Sequence, residues 1–209
     1  MEKKDMLRMF FVGVGGQGVL LATRLIGEAS LLAGIPVSMS EVHGMAQRGG
    51  VVESAVVLGN RASNVIGEGE ADVMVAFEPL EALRSLAKCH RGSLVITGTS
   101  QIPPFSVTQG TSKYPPLNDI MTILSREVGN FYAIDALSVA SKAGSEQAVN
   151  VVLVGFLTGL MENLGNKIFP SLDFFAKAIE LIVPQKLLQV NRRAFEMGYE
   201  ESKKSNAGK

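Results

Sequence analysis

Met9-Phe10-Phe11-Val12-Gly13-Val14-Gly15-Gly16-Gln17-Gly18 is an apolar run that ends in glycines. Four consecutive apolar residues, Met9 to Val12, read as a β-type run within Arg8–Val14. The glycines that follow allow positive φ and a close backbone approach, as a sharp strand-to-helix turn requires. A helix is expected from about Gln17 to Leu32, because Val19, Ala22, Ile26, Ala29 and Ala33 fall on one face. Gly34 is a natural stop, and Ile35-Pro36-Val37-Ser38-Met39 reads as a second strand. Strand, glycine turn, helix and strand make a βαβ unit with its two strands parallel and a right-handed crossover.

Working outward, Val51 to Gly59 is a strand with no room for a helix before it. It is therefore expected to run antiparallel to a neighbour, which makes the sheet mixed. Further strands are expected at Asp72–Phe77, Ser93–Thr97 and Phe131–Ile134, and an extended stretch at Ile102–Gln109. Helices are expected from Glu78-Pro79 to Lys88, over Leu117–Val128, over Gln147–Leu164 and in the terminal segments 171–183 and 184–197. Cys89 then falls at a helix end, and Asp135 reads as the N-cap of a further helix. The helix over 147–164 is apolar nearly all round and should be central; Asn150 interrupts it as a buried amide in need of partners, either a core hydrogen bond to a loop or part of a site. The fold class is thus a three-layer α/β/α single domain with a mixed, mostly parallel sheet and a Rossmann-like opening. It occupies residues 1–201, and 202–209 read as a polar, disordered tail.

Twenty basic and 20 acidic residues leave no net charge, and no basic stretch is interleaved with aromatics, so nucleic acid is not an expected partner. One cysteine cannot form an internal disulfide or ligate a four-thiolate cluster. The two histidines, His43 and His90, share no metal motif. The N-terminus is charged and the longest apolar run, Val151–Leu157, is too short to span a bilayer, so a cytoplasmic protein without membrane contact is expected.

Two segments could carry chemistry. Gly13, Gly15 and Gly18 have G-x-G-x-x-G spacing, Gly16 opens the turn further and Gln17 adds an amide. With the helix N-terminus behind them these residues suit a phosphate or carboxylate, though a tight turn that binds nothing has the same pattern. Glu41 lies 23 residues on from Gly18, near the position of a ribose-binding acid, which keeps an independent FAD- or NAD-binding module open. The second segment is Ser40-Glu41-Val42-His43-Gly44-Met45-Ala46-Gln47-Arg48-Gly49-Gly50. Arg48 supplies a planar, permanent cation and His43 a group that can move a proton. Glu41, His43, Gln47, Arg48 and Gly49 are the candidate substrate- or partner-binding residues, with His43 and Arg48 the catalytic candidates. The alternative is a solvated connector in which Arg48 pairs with Glu41. Both segments follow the first two strands of one βαβ unit, so they should meet at one end of the sheet.

These motifs, with Gly69-Glu70-Ala71-Asp72, Phe77-Glu78-Pro79-Leu80-Glu81-Ala82, Ile102-Pro103-Pro104 and Ala148-Val149-Asn150, resemble the gamma-type domain of the 2-oxoacid:ferredoxin oxidoreductases. Within that family the Ser40–Gly50 segment is similar to the small subunits of the indolepyruvate type. The resemblance implies oxidative decarboxylation of a 2-oxoacid with coenzyme A as co-substrate, giving acyl-CoA, carbon dioxide and reduced ferredoxin. It implies a large alpha subunit that holds thiamine diphosphate and [4Fe-4S] clusters, and a small subunit that binds no cofactor alone and is inactive by itself. The segment Gln101–Tyr114 is where such subunits vary.

Overall fold

The computed structural model describes residues 6–43, 50–60 and 65–206, the side chains of His43 and Asn206 excepted. A single six-stranded sheet runs through it. In chain order its strands are β1 (Met6–Val14), β2 (Val37–His43), β3 (Val51–Gly59), β4 (Ala71–Ala76), β5 (Cys89–Gly98) and β6 (Asn130–Ile134). Their spatial order is β2-β3-β1-β4-β5-β6. β1, β4, β5 and β6 pair in parallel, and β3 is antiparallel to both of its neighbours, β1 and β2. The short link between β2 and β3 permits only a hairpin-type connection, because a parallel crossover needs a dozen or more residues. β3 therefore turns back along β2 and settles between β2 and β1. The two strands of the opening βαβ unit run in the same direction with β3 inserted between them.

β1 shows why its sequence is apolar without alternation. Met9 and Phe11 face one hydrophobic cluster, Phe10 and Val12 the other, and all four are buried. On the first face lie α1 (Val19–Leu32), α5 (Ala136–Ala143), α6 (Val149–Asn163), α7 (Leu172–Ile182) and α8 (Leu188–Asn206). On the second lie α2 (Pro79–Arg84) and α4 (Leu117–Glu127). α6 is the centre of the thicker layer, with Asn150 through Met161 buried without a break. It packs on α8 through small residues. A Cβ at Gly155 would lie 2.1 Å from the Phe195 carbonyl oxygen, one at Gly198 2.1 Å from that of Val152, and one at Gly159 2.0 Å from Ser202 Oγ.

That last contact corrects the expectation of a disordered tail from Ser202. Ser202 is fully buried, its hydroxyl donates to the Tyr199 carbonyl at 2.7 Å, and α8 continues to Asn206. Charged residues around it form a solvated face, with Lys203–Glu200 and Lys204–Glu201 pairs three residues apart. Other boundaries move as well. β2 reaches His43, so Glu41 and His43 lie on a strand and not in the loop. The helix expected to reach Lys88 ends at Arg84, followed by a tight turn over Leu86–Lys88. Cys89 is then the first residue of β5 and not a helix end. Phe105–Thr108 is a short helix, α3, where extended chain was expected. Pro104 stands just before it, where no N–H is needed, and its carbonyl accepts from Val107 and Thr108 at 2.9 and 3.1 Å. Asp135 caps α5 as expected, its carboxylate accepting from the Ser138 N–H at 3.0 Å.

Candidate functional site at the carboxyl end of the sheet

The glycine turn leaves β1 at the carboxyl end of the parallel strands. Gly16 and Gly18 adopt φ of +98° and +79°, which glycine alone takes without strain. Gly13 is needed for space, since a Cβ there would lie 2.8 Å from Gln17 Oε1 and 2.9 Å from Phe77 Cβ. The Gln17 side chain folds back into the turn. Its Oε1 accepts from the Val14 N–H at 2.7 Å, and its Nε2 donates to the Phe77 carbonyl at 3.1 Å. Gln17 thereby staples β1 to the end of β4. Asn150 does the same from α6: it is buried, and its Nδ2 donates to the Gly18 carbonyl at 3.3 Å. The reading of Asn150 as a core hydrogen bond to a loop is the one the geometry supports. Gly15 and Gly16 are exposed, and α1 begins behind Gly18 with no side-chain cap.

The second segment arrives at the same place. The Gly15 N–H donates to the Gly50 carbonyl at 2.9 Å, and Val14 is level with Val51 on β3. The glycine turn and the close of the polar loop therefore meet at one end of the sheet, as the βαβ reading requires. Gln47, Arg48 and Gly49 lie outside the described residues, and of His43 only its backbone, paired with Val52, is described. Glu41 is exposed and level with Ser54, which is itself level with Phe11. With β3 inserted, Glu41 stands two strands from β1, about 10 Å at ordinary strand spacing. In a dinucleotide fold the ribose-binding acid sits on the adjacent strand. The insertion argues against that role for Glu41.

β4 brings a residue that the sequence reading passed over. Glu78 follows β4, is buried, and caps α2 by accepting the Glu81 N–H on Oε2 at 3.0 Å. Its other oxygen, Oε1, accepts from the Ile102 N–H at 3.2 Å and from the Tyr114 hydroxyl at 2.5 Å. Three donors satisfy the carboxylate, which makes its burial tolerable. Burial first, and then the Glu78 carboxylate, push the Tyr114 phenol well above its ordinary range. Burial also raises Glu81, opposed by the Arg84 guanidinium at 2.6 Å and assisted by Glu78 and Glu53. No spacing rule links residue 78 to residues 102 and 114. The sequence signals were the helix-opening Glu78-Pro79 pair and the family-like motifs Phe77–Ala82 and Ile102–Pro104, none of which showed that these segments meet.

The opposite end of the sheet holds the other histidine. His90 Nε2 lies 3.9 Å from Asp72 Oδ1, beside a cavity of about 580 Å³ lined by Leu86, Cys89, His90, Arg91 and Ile123 among others. Burial pushes the Cys89 thiol up to about 11. Among the described residues no group of three or more His, Cys, Asp or Glu side chains could hold a metal ion. Among them, too, no helix is long and apolar enough to cross a membrane.

Comparison with known proteins places this arrangement. The pattern of the pyruvate ferredoxin/flavodoxin oxidoreductase family matches residues 8–201. The indolepyruvate oxidoreductase subunit IorB of Archaeoglobus fulgidus is 41% identical over 197 residues, which cover 94% of this chain and 95% of that protein. The gamma subunit of a keto/oxoacid ferredoxin oxidoreductase from Geobacter sulfurreducens has a similar fold. Its TM-score is 0.68 at 23% identity, covering 95% of this chain and 99% of that one. The fold also recurs in the 2-oxoglutarate:ferredoxin oxidoreductase of Magnetococcus marinus, solved with 2-oxoglutarate, coenzyme A and succinyl-CoA bound. The TM-score there is 0.72 at 18% identity, over 97% of this chain and 32% of that one. On the match over residues 8–201 and the identity over nearly its whole length, the chain belongs to the pyruvate ferredoxin/flavodoxin oxidoreductase family.

Proposed function

We propose that this chain is the small subunit of a cytoplasmic 2-oxoacid:ferredoxin oxidoreductase of the indolepyruvate type. The complex would oxidatively decarboxylate an aryl 2-oxoacid with coenzyme A, yielding acyl-CoA and carbon dioxide and passing the electrons to ferredoxin. Thiamine diphosphate and the [4Fe-4S] clusters would sit on the large alpha subunit, and the single cysteine here agrees with that division. When bound there, thiamine diphosphate supplies the decarboxylation chemistry; the small subunit completes and closes the site and is inactive alone. The observation that carries this reading is the Gly15–Gly50 hydrogen bond. It joins the glycine turn to the polar loop at the end of the sheet where α/β proteins hold ligands. The exposed Gly16 backbone and the α1 N-terminus suit an anionic group such as a coenzyme A phosphate or a substrate carboxylate. Gln17, with its amide engaged inside the turn, serves by holding that backbone in place.

Arg48→Ala tests the loop. If Arg48 meets an anionic group of substrate, coenzyme or partner, its loss should remove about 2–5 kcal/mol from that interaction once the site is closed to water. Arg48→Lys should restore only part, because an ammonium cannot reproduce the planar fork. The measurement is 2-oxoacid-dependent reduction of ferredoxin or a viologen dye by the reconstituted two-subunit complex. Wild-type turnover and KM in Arg48→Ala, with the complex intact, would return the loop to a solvated connector. Tight FAD or NAD binding by the chain alone would favour the nucleotide-binding module.

A further inference from the structure

Residues 102–114 stand out from the same end of the sheet as a closed arm. Both ends hang on one atom, Glu78 Oε1, which accepts from the Ile102 N–H and the Tyr114 hydroxyl. The interior closes on Ser106: its carbonyl accepts from the Thr111 and Ser112 N–H groups at 2.9 and 3.1 Å, and its hydroxyl from Ser112 at 2.9 Å. Compact surface loops with their ends held together are frequently functional. This one presents Pro103-Pro104, stiff by covalent geometry, then Phe105 with 74% of its surface in water, beside the 39%-exposed Ile102. An arm so fully hydrogen-bonded at its base and centre has no need of an exposed ring for its own stability.

A small-molecule site encloses most of its ligand, and a ring three-quarters in water is not the wall of such an enclosure within this chain. An aromatic on a preorganised support is instead the form of an interface anchor, which fills a partner's apolar pocket without a large ordering penalty. In the Magnetococcus marinus enzyme this fold makes up 32% of a longer chain, so there it is joined covalently to further polypeptide. We infer that the 102–114 arm is a docking element of this chain, clamped by Glu78 and Tyr114, that seats Phe105 and Ile102 in an apolar pocket of the larger subunit of the same oxidoreductase. This rests on the reading of the chain as a small subunit.

The test immobilises the full chain, captures the larger subunit from the same source organism, and records affinity and dissociation rate. Phe105→Ala should weaken capture by about 30-fold or more, as for an interface anchor. Tyr114→Phe, which keeps the ring and removes the clamp, should weaken it by about 3- to 10-fold. It should add little on top of Phe105→Ala, because both act through one contact. Thermal melting of each variant checks that the fold is kept. Wild-type affinity in Phe105→Ala overturns the inference. So does unchanged affinity combined with a raised KM for the 2-oxoacid, which would make the arm a substrate-reading loop. If wild-type chain captures no larger subunit and supports no ferredoxin reduction, the reading of the chain as a small subunit fails, and the docking arm fails with it.

Discussion

The glycine turn and the 102–114 arm lie at the same end of one sheet and are built on opposite plans. In the turn, Gln17, Gly18 and Asn150 use their polar groups on one another and on neighbouring strands, the Gly15 N–H is taken by the Gly50 carbonyl, and the exposed backbone of Gly16 faces water. In the arm, polar groups again hold the base, yet the surface offered outward is an aromatic ring. The turn is a scaffold in which Gly13 and Gly18 answer to crowding from inside. The arm is a support whose tip answers to something outside the chain. Stability measurements should separate the two, since crowding is felt in the isolated fold and an exposed ring is not.

The largest effect should come from Gly18→Ala. A Cβ there would lie 2.4 Å from Asn150 Nδ2 on a backbone at φ +79°. Strain and clash together should remove about 3 kcal/mol, lowering Tm by roughly 6–12 °C in a chain of this size. Gly16→Ala has a comparable φ of +98° with nothing within 4 Å of the new Cβ, so about 1 kcal/mol is expected. Equal losses in the two variants would show that conformation alone, and not Asn150, sets the cost at Gly18.

Tyr114→Phe should come next, at about 1 kcal/mol. It breaks a bond to a buried carboxylate, but the tyrosine is only partly buried, which weakens the effect. The folded phenol titrates above its unfolded value of about 10. Its contribution is therefore complete below pH 10 and is lost as pH rises further, once the unfolded phenol ionises first. Wild type and Tyr114→Phe should accordingly converge in denaturant midpoint above pH 10. A gap that stays constant to pH 11 would mean that the hydroxyl is not clamped by Glu78.

The smallest effect should be Phe105→Ala, within about 0.5 kcal/mol of wild type in the isolated chain, as for an exposed residue without core contacts. A loss above 2 kcal/mol in a urea melt would place the ring in the chain's own packing and erase the contrast between turn and arm.

Much of the molecule was legible from residues alone because the signals are local. The β1 run, the glycine stop, the α1 stripe, the Asp135 cap and the apolar α6 depend on side-chain period and on hydrogen bonds a few positions away. From them follow the α/β class and the convergence of the two candidate segments. Tertiary structure decided the rest, because those outcomes depend on residues far apart in the chain. β3 sits between β1 and β2, which sets Glu41 apart from the glycine turn. Gln17 spends its amide on Phe77, 60 residues away, and Glu78 binds Ile102 and Tyr114. Ser202 is buried against Gly159, so a sequence that reads as a polar tail is held as helix. Local propensity sets which segments form strands and helices; which of their polar groups remain for function is settled only when distant segments pack and use up the others.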